Sequence, residues 1–334
     1  AAAEEVKVMP AAATEVNLIL SKEIGKTTYL IADLFDQYDA GAFTNSSSGN
    51  NIWKVSDISA VDASKASLQI KAEGNGNKYL EMAKTGTYSL YAYTKKEYDL
   101  SGIITVEARV KRTTESASAN QFGMYSFNKA DFKTGDPTGS SNAIGTFPLS
   151  KGNIITHNKK VSSNTVNVQG YTKNEWDIIR NVINLDTNTF DFYVNDMNVP
   201  KLADQPLRTQ GKNIDRFEFF SSGSNVGDLL IDYFKVCTGP AMDYDDAGIS
   251  GIRVDGKEAE WKGENIYELE IPSGSSEVKV QPAASSIFAR KIMVGDQDAT
   301  KAAVTVPVSG SGDSFRITVL AEDGETEESY QLNL

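Results

Sequence analysis

Nowhere in this chain do apolar side chains recur at i, i+3, i+4 and i+7 over three turns, the spacing an amphipathic helix needs. Short alternating runs, broken by Gly, Asn, Asp and Ser, take their place. The segment 103–111, IITVEARVK, puts Ile104, Val106, Ala108 and Val110 on one side of a strand, and Thr105, Glu107, Arg109 and Lys111 on the other. Runs of the same kind lie at 78–84, 88–94, 121–128, 165–171, 176–185, 189–196, 213–222 and 229–237, and DTNTF at 186–190 reads as a tight turn between two of them. So many short strands predict an all-β chain built as a β-sandwich. Residues 128–150, rich in Gly, Asp, Thr and Ser, are expected to form a long loop over one face.

At 334 residues the chain exceeds what one hydrophobic core comfortably fills, so two domains are expected. The stretch TGPAMDYDDAG, 238–248, holds a proline, two glycines and three aspartates between apolar runs, which suits a linker. Asp243, Asp245 and Asp246 superficially suggest a calcium loop, but the twelve-residue pattern and its flanking helices are missing. The expected organisation is an N-terminal extension or edge strand (1–29), a large sandwich (30–238), a linker (239–247) and a smaller immunoglobulin-like sandwich (248–334).

Charge and rare residues exclude several functions. Forty-five acidic against 33 basic residues give a net charge of -12, with no Lys/Arg cluster for a phosphate backbone. The lone Cys237 closes no intrachain disulfide, and with one histidine, His157, no Cys/His zinc site can form. No apolar run of 18 residues is present to span a bilayer. The opening AAAEEV lacks an n-region and h-region, and fits a stub left by signal cleavage as well as an arbitrary start.

The stretch LIADLFDQYDAGAF, then NIWKV, then GNKYL, resembles the opening of concanavalin A-like lectin/glucanase (laminin G-like) jelly-roll modules. EWDIIRNVINLDTNTFDFYVND and DRFEFFSSGSNVGDLLIDYFKV resemble their later strands. The tail, IRVDGKEAEWKGENIYELEIP closing in FRITVLAEDGETEESYQLNL, resembles a bacterial cadherin-like β-sandwich domain. These resemblances imply a jelly roll followed by a cadherin-like sandwich, in a larger secreted or cell-surface bacterial protein acting on carbohydrate.

In a jelly roll the first and last strands lie side by side, which would bring Asp33 or Asp36 near Asp232. With backbone carbonyls around Gly41 they would make a hard oxygen site for a structural Ca2+. The family resemblance points the same way, and solvated turn aspartates are the alternative. Sugar binding needs flat rings and polar groups. Tyr91 and Tyr93 share one strand face, and Tyr125 and Tyr171 sit near strands of the same sheet. Arg109, with Glu107 and Lys111, faces either solvent or a groove, and its guanidinium suits an acidic sugar. Gln121 completes the candidate ligand set. Trp53 and Trp176 read as packing residues, while Trp261 caps the second core or lies exposed.

Catalysis is the weaker expectation. A hydrolase needs paired carboxylates across a groove, and the Glu-x-Asp-x-x-Glu strand of the glucanases is missing, since VEARVKR offers only Glu107. A lyase needs a base and a group to neutralise the substrate carboxylate. Only Arg109, Gln121, His157 and Tyr171 can be assembled for that, and the lyase strand motifs are absent. The sequence therefore predicts a non-catalytic polysaccharide-binding fragment. A jelly-roll polysaccharide lyase or a purely structural surface module are the alternatives.

Overall fold

The computed structural model describes residues 5–7, 15–17, 29–62, 64–73, 77–86, 88–114, 122–127, 143–159, 165–221, 226–240, 242, 244–309 and 312–334. About 55% of the chain is strand, and no helix occurs among the described residues. Two compact units emerge, Thr27–Met242 and a second one centred on Asp243–Leu334. The second also takes in β1 (Glu5–Lys7) and β2 (Glu15–Asn17), which pair antiparallel.

The large unit contains β3 (Tyr29–Asp33), β4 (Gly41–Ala42), β5 (Trp53–Val55), β6 (Ala66–Ala72), β7 (Lys78–Lys84), β8 (Leu90–Thr94), β9 (Ile103–Lys111) and β10 (Phe122–Phe127). After these come β11 (Gly145–Ser150), β12 (Asn153–Thr156), β13 (Val166–Gly170), β14 (Trp176–Asn184), β15 (Thr189–Val194), β16 (Leu202–Pro206), β17 (Arg216–Ser221) and β18 (Gly227–Thr238). They form two antiparallel sheets. The back sheet runs β16-β15-β14-β9-β18-β7-β6-β4, with β3 also paired to β18, and the front sheet runs β13-β12-β11-β10-β17-β8-β5. Most neighbours are distant in sequence, the crossed connectivity of a jelly-roll sandwich.

The core between the sheets follows from period-2 alternation. Ile104, Val106, Ala108 and Val110 of β9 face Phe217 and Phe219 of β17, with Trp53, Phe147, Phe192 and Phe234 filling the space between. Trp53 stacks near Phe35 at 6.2 Å between centroids and meets Phe219 and Phe234 at 5.6 and 5.5 Å. Burying rings of this size stabilises such a core by about 3–5 kcal/mol each, judged by the cost of truncating them to alanine.

One part of the expected loop is not a loop. Gly145–Ser150 is the fully buried strand β11. Phe147 and Leu149 alternate into the core while Thr146 and Pro148 face outward, but the run is short and its proline is a residue that demotes a strand in a sequence reading. Ala143 and Ile144 precede β11 as buried non-strand residues, and 128–142 lie outside the described residues.

In the second unit one sheet orders Lys257–Glu258, Ile249–Val254, Glu277–Ala284 and Val304–Pro307. The other orders Glu260–Gly263, Ile266–Glu268, Glu327–Asn333, Ser314–Leu320, Lys291–Val294 and Gln297–Asp298. Ile252, Val254 and Val280 from the first close on Ile317, Val319 and Leu332 from the second, which makes a second small sandwich with its own core. Trp261 stays 63% exposed on an outer strand.

Candidate functional site

The outward side chains of the front sheet form two transverse rows. In the first, Lys54 pairs with Tyr93, Tyr93 with Glu218, Glu218 with Tyr125, and Tyr125 with Thr146. His157 extends the row, its Nδ1 lying 2.9 Å from the Thr146 hydroxyl. In the second, Tyr91 pairs with Phe220, Phe220 with Gly123, and Gly123 with Pro148. Only glycine fits at 123, since a Cβ there would lie 2.5 Å from the Pro148 Cα.

Exposure divides this face. Tyr125, Phe220 and Ala143 form a small buried apolar cluster, with Tyr91 partly buried against it. Tyr125 therefore offers no ring to a ligand. At the other end Tyr91 is half-buried and stacks on Tyr93, with centroids 5.6 Å apart and planes 29° from parallel, but Tyr93 itself is buried, so of the pair only Tyr91 presents ring surface. The Arg216 guanidinium lies over the Tyr93 ring at 5.6 Å and is held by the Thr94 and Lys95 carbonyls and by Glu97 at 2.9 Å. Exposed Lys54 and Asp57 rim the pair.

Four titratable groups in the row are perturbed: burial raises the Tyr93 and Tyr125 hydroxyls, and it acts on Glu218 and His157 as well. Glu218 is 1% exposed, and its Oε2 has no hydrogen-bond partner. Burial pushes its carboxyl well above the usual carboxylate range. Burial, with help from the charge of Arg208, pulls His157 down from 6.5 to about 4.

The outer face of the back sheet is organised differently. Arg109 pairs with Asp232 at 2.7 Å, and Lys111 with Glu73 at 3.2 Å. Both cations cover the Trp176 ring, Lys111 at 4.2 Å and Arg109 at 5.1 Å, with Tyr79 edge-on to it at 5.8 Å. Trp176 is thus an outer-face residue rather than core packing, because its register partner is Lys111. Further along, fully buried Glu107 accepts from Arg180 Nε at 3.0 Å and from the Tyr233 hydroxyl at 2.9 Å, with Lys235 Nζ at 3.7 Å.

The residues predicted to bind sugar are therefore split. Arg109 lies on the opposite outer face of the sandwich from Tyr91, Tyr93 and Tyr125, so one ligand cannot span them. Tyr171 packs against the core at the sheet edge, its hydroxyl without a partner, beneath the Arg112 guanidinium at 5.9 Å. Gln121 lies outside the described residues. The lyase grouping does not assemble either, since Arg109 is on β9 of the back sheet and His157 follows the end of β12 of the front sheet.

The carboxylates proposed for calcium do not converge. Asp33 points into the core, where its two oxygens accept from Phe35 N, Gln37 Nε2 and the Tyr38 hydroxyl (each 2.8 Å) and from Trp53 Nε1 (2.6 Å). It holds Phe35 at a φ of 59°, a left-handed turn that a non-glycine residue adopts only when its surroundings enforce it. Asp36 accepts from Lys78 N at 2.8 Å. Asp232 faces outward at a bulge in β18, bonded to Arg109 and to Asn77. Gly41 is exposed on β4. A cation would have to displace these donors, and no group of three His, Cys, Asp or Glu side chains gathers among the described residues. The residues do not fit the calcium site that the sequence suggested.

What reasoning from sequence overlooked is Glu218. Its signal is FEF in the strand at 213–222: alternation sets Glu218 opposite the inward Phe217 and Phe219. Nothing local announces that no donor awaits it.

No family model matches the chain, and no curated protein matches it. Among solved structures it is similar to the cellulose-induced protein Cip1 at 12% identity and a TM-score of 0.43, covering 64% of this chain and 99% of that one. A sialidase matches at 12% identity and a TM-score of 0.42 over 61% of this chain, which spans 18% of the sialidase's length. A carbohydrate esterase from the Shiga toxin-encoding bacteriophage phi24B matches at 17% identity and a TM-score of 0.41, covering 64% of this chain and all of that one.

Proposed function

We propose that the large unit binds a glycan chain on the outer face of its front sheet and does not cleave it. The observation carrying this reading is the stacked Tyr91–Tyr93 pair, with Tyr91 half-exposed and polar groups of both signs around it. A pyranose has an apolar face that packs on an aromatic ring and hydroxyls that need donors and acceptors at the rim. Tyrosine supplies that contact area at little conformational cost, while Lys54, Asp57, Arg216 and Glu97 supply the rim. The carboxylates on the described part of this face are buried Glu218, exposed Asp57, and Glu97, which is tied to Arg216.

On this reading the protein works outside the cell, secreted or surface-attached in a bacterium, as one part of a larger chain. The second unit serves as a cadherin-like spacer. Calcium is not needed at the Tyr91–Tyr93 platform.

The test is a glycan array run on the full chain with and without chelator, followed by affinity measurements on Tyr91→Ala and Tyr93→Ala. Retention of a neutral or anionic glycan that is unaffected by chelator and lost in Tyr91→Ala supports the proposal. A folded chain that retains nothing would favour a purely structural module. Unsaturated sugar ends released from anionic polysaccharides would establish a lyase instead.

A further inference from the structure

Buried polar groups in folded proteins find partners, and one that does not calls for an explanation. Glu218 is such a group. Its carboxyl lies between Tyr93 of β8 and Tyr125 of β10, its register neighbours on either side. Phe220 follows it on the same face of the strand. The titratable and charged groups facing it are Tyr91 and Tyr93 from β8, Tyr125 from β10, and Arg216 from its own strand. Arg216 is engaged by Thr94, Lys95 and Glu97. An ionised carboxylate in this place would be a buried charge with no donor, so the group is held neutral.

We propose that Glu218 is the positioning residue of the Tyr91–Tyr93 platform: as a neutral acid wedged between Tyr93 and Tyr125 it keeps the stacked pair in place, and its ionisation undoes the platform. The inference rests on the glycan-binding reading above and adds a pH dependence to it. Once ionised, the carboxylate must draw in water or a donor, and the side chains in its way are the tyrosines themselves. Glutamine reproduces the shape and the neutral state, so Glu218→Gln is the conservative variant that separates charge from packing.

The experiment follows the Glu218 carboxyl carbon and the Tyr91 and Tyr93 ring signals by NMR in the full chain, together with glycan affinity, from acid up to the onset of tyrosine ionisation. The expected result is a carboxyl that titrates well above the ordinary range, with ring signals that move with it in the wild type and stay flat in Glu218→Gln. Glycan affinity falls about tenfold per pH unit above that point in the wild type and stays level in the variant. A carboxyl titrating at its ordinary value, ring signals indifferent to it, or identical affinity profiles in the two proteins would overturn the proposal. If no glycan is retained at any pH, the binding reading fails, and the ring signals alone decide whether Glu218 positions the tyrosines. Should Glu218→Gln not fold, the wild-type titration decides.

Discussion

The two outer faces of the large sandwich carry similar residue types and treat them in opposite ways. On the back sheet every described cation near an aromatic ring has an acidic partner. Lys111 and Arg109 cap Trp176 and are tied to Glu73 and Asp232, while Glu107 collects Arg180, Lys235 and Tyr233. On the front sheet Arg216 is likewise tied to Glu97, but the Tyr91 ring remains half open, and Oε2 of the carboxyl beside the pair has no hydrogen-bond partner among the described residues. An aromatic ring beside charge is thus not in itself a binding surface. What separates the two faces is whether the groups have already been satisfied by their own chain.

The largest test of this contrast acts on the satisfied face. Glu107→Ala leaves Arg180 and Lys235 buried without their carboxylate and is expected to cost about 3–5 kcal/mol in denaturant unfolding, with glycan affinity of the surviving folded protein unchanged. His157 comes next. Its pKa is depressed to about 4, so the unfolded state binds the extra proton between roughly that value and 6.5. Stability from His157 is therefore present above 6.5 and lost as pH falls toward 4, by about 2–3 kcal/mol, and His157→Asn is expected to flatten that acid branch. Glu218 has the opposite sign. With its folded pKa raised, the wild type loses stability as pH climbs out of the ordinary carboxylate range, and Glu218→Gln pulls ahead of it over that window in thermal melts.

A smaller effect is expected on the open face. Tyr91→Ala removes about 1–2 kcal/mol of ligand binding, roughly a tenfold loss of affinity or more, with an unfolding midpoint close to wild type. The smallest belongs to Arg109→Ala. Its ion pair with Asp232 is partly solvated, so a change of at most about 1 kcal/mol in stability and none in glycan affinity is expected. A clear loss of binding in that variant would move the site to the back sheet.

Much of this could be read before any coordinates. Residues 103–111 form one strand over their whole length, and 229–237 fall inside β18, because alternation in a strand buried on one face is a local property. A turn does join these two strands, β14 and β15, at 185–188 with Asn188 at a φ of 56°, while Thr189 and Phe190 of the expected turn already belong to β15. Tyr91 and Tyr93 share a face for the same local reason. What alternation cannot supply is the identity of the cross-strand neighbour. Arg109 reads as a ligand residue until register places Asp232 beside it, and Asp33 reads as a metal ligand until Trp53 is found donating to it from 20 residues away. Glu218 escaped notice because a carboxylate in a strand is unremarkable until the sheet shows both its neighbours to be tyrosines.

The pairing of β3 with β18 has a mechanical consequence. Tyr29 and Cys237 sit opposite each other, so the chain enters and leaves the large sandwich at the same end of one antiparallel ladder. Tension applied across those two points loads its hydrogen bonds one after another, as in opening a zip, instead of all together in shear. Under flow or traction the entry strand would peel off first, taking with it the Asp33 anchor that holds the Phe35 turn and the Trp53 indole.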